Sequence, residues 1–401
     1  MTAPPAHLHV ESIQTAIPIR IAVERGRTLP IAVSGTPPIT AEELQRRFRV
    51  VLYYRDADGD HRPDDEARAR LEQATWVQEA LSAALSDEPK MAGRLRRRSR
   101  GDGPWEVKLN DSGLRLLTAS ADTTMAAFLE AGDRESKEAA LALWTDVDTQ
   151  DPEMCAPFFM QVVTYRHGIQ NSPSCFFCSV LPFENFEVQL TWFSDGGYAI
   201  GACCSLLHAD PLSLINFLKT WARAHAQVQQ QSKLVLNPVI RYTRYFRSPR
   251  AATKRLRSFP LVPTADGATT TTTVLFRIVG DDAPADRGAL ADACVAQASE
   301  KLGLERPARF TVLAGDGLGG LNVVRACKPG GDGETTPQCH VQALRVACWN
   351  EAGLEEVVLD GCKPLHVSCG IVSPCADEGL LVVMPAAAGC AEFFISATVP
   401  S

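Results

Sequence analysis

His208 and Asp210 are the residues of this chain whose types and spacing could do acid–base chemistry. An imidazole titrates near neutral pH and can take a proton from a hydroxyl or an amine. A carboxylate two residues on can shape the turn, or can cap a helix. A second group is cationic: Arg241, Arg244, Arg247, Arg250, Lys254, Arg255 and Arg257 stand among Tyr242, Tyr245 and Phe246. Cations among aromatics suit nucleic acid, but a net charge of −7 argues against that as the main partner. The 13 cysteines show no metal-ligand spacing. Cys175 and Cys178 are the one pair at C-x-x-C spacing, and they read as small buried side chains rather than zinc ligands. Gly315 to Gly320 lacks the strand, helix and downstream acid of a phosphate loop.

Positioning His208 and Asp210 takes a strand and a helix. Leu190, Trp192, Tyr198, Ile200, Ala202, Cys204 and Leu206 alternate onto one side of an extended chain. Leu214, Leu218, Trp221, Ala222 and His225 then recur at helical spacing. Between them Asp210 suits an N-cap and Pro211 the first helical turn. His208 is therefore expected in a turn, partly exposed. The helix is expected to end at Gln227 to Gln231. Upstream, residues 8–33 read as extended, Phe48 to Tyr54 as a strand, 55–68 as a charged surface loop and Trp76 to Leu85 as an amphipathic helix. Arg94 to Arg100 reads as a solvated rim. Asn110 to Gly113 reads as a turn between strands Trp105–Leu109 and Leu114–Thr118. Downstream, strands are expected at Thr269–Ile278, Leu380–Pro385 and Phe393–Val399, and a helix at Ala285–Lys301.

Gln189, Thr191, Phe193, Gly196, Gly197, Ile200, Gly201, Asp210, Leu212, Ser213, Phe217, Trp221 and Ala222 follow one another without a gap in a pattern of Q-V-T-x-F, G-G-x-x-[IL]-G, H-x-x-x-D-G-x-S and F-x-x-x-W-A. By these residues the chain resembles the BAHD acyltransferases, which use acyl-CoA to acylate alcohols and amines. Leu81, Ser82, Leu85 and Ala92 to Leu95 resemble a second segment of that family. Lys363-Pro364-Leu365-His366-Val367-Ser368 resembles its K-P-x-x-V-S strand. Two departures stand out. The family's histidine position is Leu206, and His208 comes two residues later, about 6–7 Å along a strand. The family's D-F-G-W-G is replaced by Val358-Leu359-Asp360-Gly361-Cys362. In addition, Pro157 to Thr164 looks like a partial copy of the Gln189 segment. The residues between could be an inserted hairpin, or could come from splicing or gene structure.

The resemblance implies an α/β chain with the two-domain chloramphenicol-acetyltransferase-like fold, each domain a mixed β-sheet with flanking helices. Residues 1–227 would form the N-terminal domain, 228–265 the crossover and 266–401 the C-terminal domain. It implies acyl-CoA as co-substrate with a small-molecule acceptor, and no permanently bound cofactor or metal. His208 and Asp210 are the catalytic candidates, Asp210 held by an arginine in the family. Arg255, Arg257 and Lys363 are the cations expected at CoA. Two functions remain open. One is an acyl-CoA-dependent transferase with an altered or displaced base. The other is a non-catalytic relative, a partner or scaffold in lipid and wax elongation like proteins of the Eceriferum and Glossy type. Residues 1–14 show no secretory signal and no run of eighteen apolar residues occurs, so the chain is expected to be cytoplasmic and monomeric, with no membrane span.

Overall fold

The computed structural model describes residues 6–21, 26–34, 38–55, 63–98, 103–155, 158–163, 189–192, 197–234, 257–261, 271–279, 287–315, 320–327, 344–375, 377–385 and 392–400. The first half runs β1 (His7–Ala16), β2 (Thr28–Ser34), α1 (Ala41–Leu44), β3 (Arg47–Arg55), α2 (Pro63–Asp87), β4 (Arg94–Arg97), β5 (Trp105–Lys108), β6 (Leu114–Ala121), α3 (Met125–Glu130), α4 (Arg134–Lys137), β7 (Phe158–Val163), β8 (Gln189–Trp192), β9 (Gly197–Ser205) and α5 (Pro211–Leu234). The second runs β10 (Arg257–Pro260), β11 (Thr271–Val279), α6 (Arg287–Leu302), β12 (Arg309–Gly315), β13 (Leu321–Cys327), β14 (Arg345–Ala347), β15 (His366–Val372), β16 (Glu378–Pro385) and β17 (Glu392–Pro400).

These strands form two mixed sheets with flanking helices. The first has the order β10-β1-β6-β7-β9-β3-β15, with β8 also pairing β6 and β9. The second has the order β14-β11-β17-β16-β12-β13-β2-β5-β4. Parallel pairs (β12 with β16, β13 with β2, β6 with β7 and β8) sit among antiparallel ones. The sheets trade strands: β2, β4 and β5 from the first half complete the second sheet, and β15 from the second half closes the first beside β3.

Two sequence expectations change, and a third is met in an unexpected setting. The charged stretch before Trp76 is not all loop, because α2 begins at Pro63, where a proline's missing N–H is no loss. The helix after Asp210 runs to Leu234, through the glutamines expected to end it, since Gln is a good helix former. The turn at Asn110 to Gly113 lies between two strands, as expected. β5 pairs with β2 and β4, whereas β6 pairs with β1, so this turn carries the chain from one sheet to the other.

The buried side of the first sheet is continuous. All nine residues of β9 are buried, so it is covered on both faces rather than one. On one face Cys203 Sγ reaches the carbonyl of Ala142 at 3.5 Å. A side chain at 201 would place its Cβ 1.9 Å from the carbonyl oxygen of Leu141, which is why the last glycine of the G-G-x-x-[IL]-G pattern is needed. Towards the other face α2 packs on α5, and the indole of Trp221 donates to the carbonyl of Val77 at 3.4 Å.

Candidate active site

The strand–turn–helix expected around His208 is present. β9 ends at Ser205, residues 206–208 turn, and α5 starts at Pro211. The turn is fixed by its own backbone: Ala209 N donates to Ser205 O at 3.0 Å, and Leu206 N donates to Arg46 O at 3.0 Å. Asp210 caps the helix. One carboxylate oxygen accepts from Ser213 N at 3.0 Å and the other from Ser213 Oγ at 2.6 Å. Among the described residues no arginine pairs with Asp210, so the partner implied by the resemblance is not seen and Ser213 takes its place.

His208 departs from expectation. The ring is not partly exposed; it is 1% exposed, and neither ring nitrogen makes a hydrogen bond. Burial holds its pKa well below the ordinary value, and the charges of Lys90 and Arg94 push the same way. The cause lies in a segment over a hundred residues away. Arg94, expected in a solvated rim, is buried and donates to the carbonyls of Gly93 (2.9 Å), Gly113 (3.0 Å) and Ser112 (3.4 Å). The same guanidinium that pins the sheet-to-sheet turn therefore faces His208 with a fixed positive charge. Leu206, at the family's histidine position, is itself 1% exposed.

His366 is the next histidine in the sequence with a case for a role, but it is not near this turn. On β3, His366 pairs with Tyr53 while Ser205 pairs with Arg47. Six residues of strand separate them, about 20 Å. His366 belongs to a different cluster that the sequence did not reveal. Glu138 is fully buried and accepts from Tyr53 Oη at 2.9 Å and from Ser368 Oγ, with Arg134 Nε 3.5 Å away. Burial, then the Glu138 charge, raises the Tyr53 pKa. The His366 ring lies 5.7 Å from the Tyr53 ring; its pKa is lowered by burial and by Arg134, with Glu138 opposing. An open polar recess of about 410 Å³ is lined by Ala131 to Ser136, so Arg134 joins it to the buried carboxylate.

The residues replacing D-F-G-W-G make a tight turn. Asp360 and Gly361 have positive φ, 52° and 76°, and Leu359 bridges Cys362. Asp360 accepts from Tyr198 Oη at 3.0 Å and from Gln229 Nε2, which ties this turn to β9 and α5. Of the cations expected at CoA, Arg255 lies outside the described residues, and Arg257 is described only as backbone in β10. Lys363 is exposed, and with Lys219 it holds the Glu356 carboxyl below its ordinary range, Lys219 contributing more. Cys175 and Cys178, and Asp316 to Gly319, also lie outside the described residues. Among the described residues no group of three His, Cys, Asp or Glu side chains could hold a metal, and no helix is long and apolar enough to cross a membrane.

No family model matches the chain. Among curated proteins it is similar to Protein ECERIFERUM 26-like of Arabidopsis thaliana, 27% identical over 150 residues, which span 37% of this chain and 28% of that protein. The resemblance to the BAHD acyltransferases thus rests on the motif residues, and the matched stretch covers little more than a quarter of that relative's length. Among solved structures it is similar to vinorine synthase, 14% identical with a TM-score of 0.43 over 98% of this chain and 95% of that one. It is also similar to F. sporotrichioides TRI101 complexed with coenzyme A and T-2, 13% identical with a TM-score of 0.41 over 90% and 93% of the two chains. Against the BAHD pattern, Gly201 and Asp210 keep structural roles that the geometry explains, while the histidine position holds a buried leucine.

Proposed function

We propose that this chain keeps the BAHD acyltransferase architecture without its histidine chemistry, and acts as a non-catalytic acyltransferase-like protein, a partner or scaffold in the elongation of acyl chains. One observation carries the reading. Leu206 stands where the family's base would be, and the neighbouring His208 is sealed in the fold with its ring held neutral. Acylation of an alcohol moves the hydroxyl proton to a base as the new C–O bond forms and the thioester C–S bond breaks, and a placed base contributes roughly 10²–10⁴ in rate. Leu206 takes no proton. His208 has no exposed nitrogen with which to reach a substrate. The similarity to an Eceriferum-type relative agrees with this reading. Binding of acyl-CoA without turnover belongs to the same proposal, with Arg255, Arg257 and Lys363 as the cations that would meet its phosphates.

The test is thioester turnover across hydroxycinnamoyl and fatty acyl-CoA donors with a panel of alcohols and amines. Wild type is expected to release CoA no faster than buffer, and His208→Ala is expected to change nothing. Fast wild-type turnover that His208→Ala abolishes would establish the other reading, a transferase with a displaced base. Fast turnover insensitive to His208→Ala would also defeat the proposal and place the base elsewhere.

A further inference from the structure

β7 and β8 claim the same place in the first sheet. Along β9, Val162 and Leu190 both pair with Ile200, and Val163 and Thr191 both pair with Ala199. The other edge of Ile200 and Ala199 is already taken by Leu52 and Tyr53 of β3. A strand residue has one neighbour on each side, so two backbones cannot both sit between β9 and β6 at that level. The sequences explain the competition. Gln161-Val162-Val163 and Gln189-Leu190-Thr191 each place a β-favouring pair after a glutamine and run in the same direction.

The registers agree from both sides. Met160 pairs with Ala202 on β9, and Leu190 with Ile200, which sets Gln189 opposite Gly201, one step after Met160. On β6, Met160 pairs with Leu116 and Gln189 with Leu117, again one step apart. Two independent ladders thus make Gln189 the direct continuation of Phe158-Phe159-Met160. We propose that residues 161–163 and 189–191 are alternative occupants of one strand position, and that residues 161–188 can be left out of the chain without breaking that strand. The sheet needs one copy, and the second makes a two-state element in the strand that leads into the motif turn.

Two experiments decide it in the full-length chain. Excision of residues 161–188 joins Met160 to Gln189 in register and is expected to give a cooperatively folded protein with an unchanged or higher Tm. An excised chain that is insoluble or melts without cooperativity overturns the proposal. The second experiment uses proline, which removes a ladder hydrogen bond inside a sheet. Val162→Pro and Leu190→Pro singly are each expected to lower Tm by about 3 °C or less, because the other copy fills the position. The double variant is expected to lower Tm by clearly more than the two single losses added together, because no copy is then left to fill the position. A single proline as damaging as the pair would show one obligate occupant and overturn the proposal.

Discussion

His208 is a buried imidazole with two unsatisfied nitrogens, and such groups cost about 1–3 kcal/mol each. Its folded pKa lies below the ordinary value of 6.5. Below about pH 6.5 the unfolded chain therefore binds a proton that the folded chain refuses, so stability is full above that pH and falls as the pH drops through it, by at most about 1.4 kcal/mol per pH unit for one group. His225, buried and also lowered mainly by burial, adds in the same direction. His208→Leu should therefore leave Tm at pH 8 unchanged or raised, and should flatten the loss of Tm between pH 6.5 and 5. A variant that is strongly destabilised at pH 8 and keeps the wild-type pH profile would mean that the ring has a partner which matters. The sequence located this histidine and its distance from the motif position. It could not show the burial, nor that the charges of Lys90 and Arg94 act on the ring, because nothing in the 206–210 segment encodes either. Arg94 was illegible for the same reason: within one basic run Arg94 is a structural clamp, Arg96 pairs with Glu106 and Arg97 lies over the Trp105 ring.

Among elements, the motif strand and helix were the most legible part, because the alternation before Leu206, the Asp-Pro pair and the helical spacing after it are all local signals. The extra length of α5 was less visible, since glutamine favours helix and loop composition alike. Sheet membership was not visible at all: the turn at Asn110 to Gly113 was legible, but not that the strands flanking it lie in different sheets. The cap at Asp210 is a prediction at this scale. Asp210→Ala removes acceptors for Ser213 N and Ser213 Oγ and should cost about 1 kcal/mol, roughly 1 °C in Tm for a chain of this length. Asp210→Asn, which can still cap, should recover most of that loss. If instead both variants keep full stability, the first turn of α5 is held from elsewhere and the cap reading fails.

At the scale of the whole molecule, what joins the two sheets is an ion network that no motif announced. Arg46 is 1% exposed and donates to Glu378 of β16 at 2.6 Å, with Glu43 of α1 3.5 Å away. Glu43 in turn accepts from Arg325 of β13 at 2.8 Å, and Glu378 accepts from Thr311 of β12. Arg46 and Glu378 stand 332 positions apart and Glu43 and Arg325 282 apart, so charge patterning along the chain gives no hint of these pairs. The backbone of the same Arg46 accepts from Leu206 N, so one residue ties the second sheet to the turn that carries His208 and Asp210. Removing one partner of a buried pair strands the other, at about 3–5 kcal/mol. Arg46→Met should therefore destabilise by about that amount in denaturant titration, and should speed hydrogen exchange at the Leu206 amide beyond the global change. Pairing Arg46→Met with Glu378→Leu should recover a large part of the stability, because an apolar replacement of both members of a buried ion pair is often neutral or better. A single variant within about 1 kcal/mol of wild type, or a double variant no better than the single, would show that the sheets are held by apolar packing alone and that the network is incidental to it.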